Sequence, residues 1–171
     1  MCIRDRAKGE AAAYLGTQEG IRDLAQEIGK EFSSWDNMVS SIGWERIVIG
    51  SVIREEDRIY AGLDFTAAAA LSGSTETELF CRLVHENSGK IGVILMSMAQ
   101  ADVDRVLCLP YVSLISDALY GGGGMPHPRL YGAFPKFLRE YAGEKSALSF
   151  AEAVRKMTGM PARRLGLRDR G

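Results

Sequence analysis

The chain has 171 residues and a formal net charge of −1 at pH 7. This length predicts one domain with a substantial core, but it is too short for a complete eight-stranded α/β barrel, which typically needs about 250 residues. The nearly neutral charge argues against a nucleic-acid partner, because no basic excess is present to neutralise phosphates. No apolar stretch of about 18 residues and no apolar leader are present, so we expect no membrane partner and a soluble cytoplasmic protein.

The cysteine and histidine contents restrict the chemistry of any site. The three cysteines are widely spaced and form no C-x-x-C motif, which argues against a disulfide framework or a thiolate zinc site. The chain has only two histidines, His85 and His127. A histidine-rich metal site therefore cannot be built from this chain alone.

The spacing of apolar residues predicts short buried strands that alternate with amphipathic helices. Two capping-box patterns, Thr75-x-x-Glu78 and Ser149-x-x-Glu152, mark helix starts, and Pro135 is expected in the first turn of another helix. In chain order we predict a helix over 18–32, a strand over 44–51, helices over 65–71 and 75–88, a strand over 91–96, a helix over 99–107, a strand over 111–116, a loop over 118–130, and helices that begin near 134, 149 and 161.

The alternation of strands and helices predicts an α/β fold with βα units and a parallel sheet. Three parallel strands would leave both sheet edges open, so we interpret the chain as the C-terminal portion of a larger barrel that lacks strands on its N-terminal side. Residues 1–6 fit no periodic pattern and are interpreted as a non-native start. Residues 7–171 are then the C-terminal part of the barrel domain.

The predicted site lies at the carboxyl ends of the strands, where α/β proteins carry their chemistry. Ser51 follows the first strand, and Asp117 directly follows the third. A carboxylate at the exit of a buried strand can act as a general base or as a metal ligand. The alternative is that Asp117 caps a turn or a helix in the loop that follows.

The loop after Asp117 contains two prolines on either side of His127, followed by Arg129. Long loops at this edge of a sheet are frequently binding loops, and arginine is suited to bidentate recognition of a carboxylate. The alternatives are a structural ion pair for Arg129 and a helix cap for His127. The Gly121–Gly124 run lacks the remainder of a phosphate-loop motif, so a lid or an insertion is the better interpretation.

These residues resemble a known family. The run from His127 to Pro135 (HPRLYGAFP), the Ser116-Asp117 pair before it, and the C-terminal stretches over 148–158 and 165–171 are similar to the signature of the N-acyl-D-amino-acid deacylases, or D-aminoacylases. The match is ordered over 102–171 and weaker but collinear from about Trp44. This family belongs to the amidohydrolase superfamily of metal-dependent (β/α)₈ TIM barrels.

The resemblance implies hydrolysis of the amide of N-acyl-D-amino acids to a carboxylate and a free D-amino acid, with zinc as the cofactor. It implies that Asp117 is the general acid and base, and also a possible metal ligand. Arg129 would hold the α-carboxylate of the substrate, Ser51 would assist there, and His127 would shape the substrate-binding loop. The main zinc ligands of the family have no counterpart in this chain, so we expect the fragment alone to be inactive.

Two alternatives remain open at this stage. One is a cyclic-amide hydrolase of the same superfamily, similar to dihydroorotases or hydantoinases, against which the His127-Pro128-Arg129 motif argues. The other is a module without catalytic activity. The preferred D-amino acid, the acyl group, the number of metal ions and the oligomeric state do not follow from the sequence.

Overall fold

The computed structural model describes residues 8–118 and 127–171. The described residues form two compact units, an N-terminal unit that ends at Ser97 and a C-terminal unit that begins at Met98. The non-native start predicted for residues 1–6 and the Gly121–Gly124 run lie outside the described residues. None of the helices in the described ranges combines the length and the apolar composition that crossing a bilayer requires.

The N-terminal unit is a small two-stranded sheet covered by helices. The three helices that were predicted in this region from periodicity and capping signals are all present. Its elements are α1 (Lys8–Leu15), α2 (Gln18–Glu27), α3 (Met38–Ile42), β1 (Ile47–Ser51), α4 (Phe65–Ser72), α5 (Glu76–Glu86) and β2 (Gly92–Leu95), with short 3-10 helices over Trp44–Arg46 and Glu55–Tyr60.

Local chemistry fixes the ends of these helices. Thr75 and Glu78 form the predicted capping box at the start of α5, and each side chain bonds the backbone N–H of the other residue. Gly73 ends α4 in the left-handed conformation with φ of +69°, where glycine has no steric cost. Helix α2 ends before the predicted Phe32, because the Asn37 side chain donates hydrogen bonds to the carbonyls of Ile28 and Lys30.

The sheet differs from the prediction in its direction. Strands β1 and β2 form at the predicted positions, but they pair antiparallel, so the predicted parallel sheet is wrong for the described residues. The reason lies in β2, where Val93 and Leu95 remain about 40% exposed (42% and 40%). A strand covered on one face only is typical of antiparallel sheets, whereas parallel strands are buried on both faces. The barrel itself stays a prediction.

A single apolar core stabilises the N-terminal unit. Phe65 is completely buried at its centre, and its ring lies 5.1 Å from that of Trp44 and 5.8 Å from that of Phe80, between centroids. Burial of aromatic and aliphatic side chains is the main favourable contribution to folding. The buried core residues of this unit are Ile47, Ile49, Val52, Tyr60, Phe65, Ala68, Ala69, Leu79 and Leu83.

The C-terminal unit is helical and has a smaller core, in which Phe137, Tyr141 and Ala153 are buried. Ser149 caps α8 as predicted, but Glu152 pairs with Arg155 instead of completing a capping box. The elements of the unit are α6 (Gln100–Cys108), α7 (Arg129–Phe137), a π-helical turn (Leu138–Glu144), α8 (Phe150–Met157) and α9 (Gly159–Arg164).

The helix α7 starts earlier than predicted, at Arg129, so Pro135 lies inside it and not in its first turn. Proline has no backbone N–H and cannot donate the usual helical hydrogen bond. The helix continues directly into the π-helical turn over Leu138–Glu144. The prediction for Pro135 was wrong because the helix start was placed too late.

The third predicted strand, over 111–116, is wrong. Tyr111 lies in a turn, and residues 112–116 have no regular secondary structure and join no strand among the described residues. Tyr111 and Ile115 are 75% and 72% exposed. The N–H of Leu114 instead donates to the carbonyl of Lys156 at 3.2 Å, at the end of α8. The segment has the composition of a strand, but a strand also needs a neighbouring strand with which to pair.

Candidate functional site

An ion pair connects Asp117 and Arg129, two of the residues singled out by the sequence. The Arg129 Nη1 atom lies 3.1 Å from Asp117 Oδ2, and the two side chains are 39% and 69% exposed. Asp117 follows the irregular segment over 112–116, and Arg129 is the first residue of α7. The structure therefore brings together two residues from separate described segments of the chain. A structural ion pair is also the alternative role that the sequence left open for Arg129.

The backbone of Asp117 is unusual because its φ is +48°. Few residues other than glycine adopt this left-handed conformation, and aspartate and asparagine are several-fold enriched among those that do. The N–H of the next residue, Ala118, donates to Ser116 Oγ at 3.4 Å. The backbone of Asp117 is therefore left-handed, and its carboxylate reaches Arg129.

His127 supports the start of α7. Its Nδ1 atom accepts a hydrogen bond of 3.1 Å from the backbone N–H of Arg129, and its carbonyl accepts one of 3.0 Å from Leu130. Partial burial and the positive charge of Arg129 lower the pKa of His127, while Asp117 acts in the opposite direction. A neutral imidazole with an unprotonated Nδ1 is the form that can accept this bond. His127 thus contacts the backbone of Arg129, as expected of a residue that shapes the loop.

Ser51 lies in the N-terminal unit, whereas the other three candidates belong to the C-terminal unit. It is the last residue of β1 and stands opposite Gly92, beyond an irregularity in the strand pairing. A Cβ atom on Gly92 would come within 2.4 Å of Ser51 Oγ, so only glycine fits there without a shift. Ser51 is half-buried at the strand end, as predicted.

Two basic residues near the end of α8, which were not predicted as site residues, contact the segment before Asp117. Lys156 Nζ donates to the carbonyls of Leu109 and Val112, and Arg155 Nη2 donates to the carbonyl of Pro110. Lys156 is 1% exposed. The helical spacing could have indicated this burial, because Lys156 lies three residues after Ala153 on the buried face of the helix.

The described residues do not fit a metal site by themselves. No three His, Cys, Asp or Glu side chains among them come together as a set of ligands. The carboxylate of Asp117 has a cationic partner in Arg129, and His85 Nδ1 contacts the carbonyl of Ala12 at 3.0 Å. A metal role of Asp117 therefore stays a prediction.

Comparisons with known proteins provide an independent test of the family resemblance that the sequence motifs indicated. No family model matches the chain. A D-aminoacylase of Alcaligenes xylosoxydans xylosoxydans is 31% identical over 140 residues, which cover 72% of this chain and 28% of the relative. An N-acyl-D-aspartate deacylase of the same organism is 36% identical over 110 residues, or 64% of this chain and 21% of the relative.

Two solved structures are similar to this chain. One is an N-acyl-D-glutamate deacylase of Bordetella bronchiseptica in complex with zinc and a phosphonate that mimics the tetrahedral intermediate. It is 28% identical to this chain with a TM-score of 0.65, and the match covers 78% of this chain and 27% of that one. The other is a D-aminoacylase with a binuclear metal centre, with 31% identity, a TM-score of 0.60, and coverage of 74% and 25%. The chain thus spans about a quarter of the length of these proteins. The comparisons confirm the resemblance that the C-terminal motifs predicted.

Proposed function

We propose that this chain, an N-acyl-D-amino-acid deacylase segment by its resemblance, belongs to an enzyme that hydrolyses N-acyl-D-amino acids to a carboxylate and a free D-amino acid. One observation carries the proposal beyond the resemblance. The matched motifs are separated in the sequence, yet their charged residues Asp117 and Arg129 meet in an ion pair at 3.1 Å. The activity and the substrate are proposed for the whole protein, of which this chain supplies part.

Asp117 is proposed as the general base that takes a proton from the attacking water and, as general acid, returns it to the leaving nitrogen. Its carboxylate is 69% exposed, so substrate and water can reach it. Its backbone is left-handed, and the side chain contacts Arg129 at the start of α7. Proton transfer needs this kind of defined position more than it needs strong binding.

Arg129 is proposed to bind the α-carboxylate of the substrate. Its contact with Asp117 uses Nη1, and no carboxylate among the described residues contacts its Nε or Nη2 atoms. Because the guanidinium group has five N–H donors in a rigid plane, it can donate hydrogen bonds to a second carboxylate beside the first. The substrate would then lie next to the proton-transfer group. Ser51 is proposed to assist in binding, and His127 to hold the start of α7 in place.

Zinc is proposed as the cofactor of the whole enzyme, since one similar structure holds zinc. When bound, zinc lowers the pKa of a water molecule and polarises the acyl carbonyl. Because the described residues do not form a metal site alone, we propose that other parts of the enzyme provide most of its ligands. Added zinc should not produce turnover by this chain alone.

The test is to express the coding sequence together with its flanking coding sequence and to measure D-amino-acid release from N-acetyl-D-aspartate, N-acetyl-D-glutamate and N-acetyl-D-methionine. The substitution Asp117→Asn should lower kcat by about 100-fold or more, as expected for loss of a general acid-base group. The control Asp102→Asn removes an exposed carboxylate of the same unit and should leave kcat unchanged. Full turnover by Asp117→Asn would refute the proposed role.

The same assay separates the alternatives. Ring opening of dihydroorotate or hydantoin, without release of D-amino acids, would replace the proposal by a cyclic-amide hydrolase. No turnover of either substrate class, by a protein that folds and binds zinc, would favour a module without catalytic activity. Substitution of Arg129 by Met should raise KM for substrates that carry an α-carboxylate.

A further inference from the structure

Lys156 is a buried cation in the C-terminal unit. It is 1% exposed, although lysine is almost never fully buried unless its charge is compensated. Burial lowers the pKa of Lys156. Transfer of an ammonium group from water into a protein interior is costly, so the contacts that Lys156 makes there need an explanation.

The buried ammonium group holds the backbone of the chain just after α6. Its Nζ atom donates to the carbonyl of Val112 at 2.8 Å and to that of Leu109, where α6 ends. A cation near the carbonyl end of a helix satisfies carbonyls that have no helical partner. The neighbouring Arg155 adds a bond of 3.2 Å from Nη2 to the carbonyl of Pro110.

A further contact lies closer to Asp117. The carbonyl of Lys156 itself accepts a hydrogen bond of 3.2 Å from the N–H of Leu114. Leu114 also packs against the buried cluster of Phe137, Tyr141 and Ala153. The segment from Leu109 to Leu114 is therefore attached to the end of α8 by four hydrogen bonds. Asp117 follows only three residues later.

We propose that Lys156 is a positioning residue, which fixes the segment before Asp117 and so places the Asp117 carboxylate opposite Arg129. The inference rests on the proposed role of Asp117. Lys156 touches neither the carboxylate nor Arg129, so it acts through the backbone. A buried methionine would fill a similar volume without the cost of desolvation, but it could not donate hydrogen bonds to the carbonyls of Leu109 and Val112.

The first arm of the test does not depend on catalysis. In the 171-residue chain, Lys156→Met should speed hydrogen exchange at the Leu114 amide by about 10-fold, since loss of one such contact costs about 1.4 kcal/mol of local stability. The control Lys136→Met removes a lysine that is 61% exposed in the same unit. This control should leave the exchange rate at Leu114 unchanged.

The second arm uses the expressed enzyme with its flanking sequence. Lys156→Met should lower kcat by about 10- to 100-fold, as expected when a reacting group moves by about 1 Å. Because substrate binding by Arg129 on α7 is kept, kcat/KM should fall in proportion to kcat, with KM nearly constant. Lys156→Arg retains donors for the same carbonyls and should recover part of the loss.

A second variant protects the test against unfolding. Arg155→Met keeps both Lys156 contacts and removes the contact with Pro110 together with the ion pair to Glu152. The Arg155 side chain is 36% exposed, so the protein should fold. It should change Leu114 exchange and kcat in the same direction as Lys156→Met, but by less. If Lys156→Met does not fold, Arg155→Met and Lys156→Arg decide the outcome.

Unchanged Leu114 exchange in these variants, or kcat values equal to that of Lys136→Met, would overturn the proposal. So would an effect confined to thermal stability that Lys156→Arg does not relieve. The two proposals fail differently. Full activity of Asp117→Asn would refute the role of Asp117, while the exchange arm would still report whether Lys156 fixes the segment.

Discussion

The two units both bury polar side chains, but they use them differently. In the N-terminal unit the carboxylate of Asp57, which is 1% exposed, accepts hydrogen bonds from Arg82 and Asn87, so charge meets opposite charge. In the C-terminal unit the ammonium of Lys156 donates to backbone carbonyls. In the N-terminal unit, side chains bond to one another beside a large apolar core. In the C-terminal unit, the Lys156 side chain bonds the backbone of the segment over 109–114 to helix α8, beside a smaller core.

This difference indicates that separate interactions stabilise the N-terminal unit and position the segment before Asp117. Asn87 Oδ1 also accepts from the backbone N–H groups of Ile53 and Arg54, and it thereby ties the loop after β1 to α5. Buried, fully satisfied networks of this kind specify one arrangement of the surrounding chain. In the N-terminal unit the core carries most of the stability, whereas in the C-terminal unit specific hydrogen bonds hold the segment before Asp117.

The largest expected effect concerns the two cores. Phe65→Ala should lower the free energy of unfolding of the N-terminal unit by about 3–5 kcal/mol, because a fully buried ring leaves a cavity. Phe137→Ala should cost less, because fewer buried residues surround Phe137. Urea unfolding followed by fluorescence measures the first, and hydrogen exchange in α8 measures the second.

Phe150→Ala is the matched control, because Phe150 is 68% exposed and such a change should alter stability by less than about 0.5 kcal/mol. Equal losses for Phe65→Ala and Phe137→Ala would contradict the comparison. The two units would then depend on their cores to the same extent.

An intermediate effect is expected at Asn87. Asn87→Ala removes one of the two partners of Asp57 and leaves the N–H groups of Ile53 and Arg54 without their acceptor. This should lower the free energy of unfolding in urea by about 1.5–3 kcal/mol. Gln26→Ala, an exposed amide on α2, is the control and should cost far less. A loss at Asn87 no larger than at Gln26 would show that the network adds nothing to the core.

The smallest expected effect is the titration of His127. Its pKa should lie below the ordinary value of 6.5, because burial and Arg129 disfavour the charged form. His127 then binds its proton more tightly in the unfolded chain than in the folded one. Its contribution to the free energy of unfolding is therefore fully present above about pH 6.5 and is lost as the pH falls below that value. NMR titration of the imidazole measures the shift.

Arg129→Met should raise the pKa of His127 partway toward 6.5, since the positive charge is removed while burial remains. A pKa of His127 above 6.5 in the unsubstituted chain would contradict the geometry described at the start of α7. It would mean that Asp117, and not Arg129, dominates the surroundings of the imidazole.

Local signals predicted a large part of the fold. The capping box at Thr75, the cap at Ser149, the helix over 65–71 and both strands were found from residue types and spacing. Strand direction and the third strand were not, because pairing depends on which segments meet in space. The apolar composition of 111–116 suits a strand, but its neighbour is the end of α8.

The candidate site was predicted only in part. The residue types of Asp117 and Arg129 suggested a site, and a structural ion pair was left open for Arg129. That the two residues pair with each other, at 3.1 Å, depends on the folded arrangement of two separate segments. The burial of Lys156 was missed because a charged residue is expected at the surface. Only the helical spacing from Ala153 pointed to it.

The positive φ of Asp117 restricts which residues can occupy this position at all. Side chains with a Cβ other than aspartate and asparagine pay roughly 1–2 kcal/mol in this conformation, and glycine pays nothing. Of the three residue types with the lowest cost, aspartate alone carries a carboxylate. Divergent sequences that keep this backbone conformation but abandon acid-base chemistry should therefore favour asparagine or glycine here, whereas those that retain the chemistry should favour aspartate.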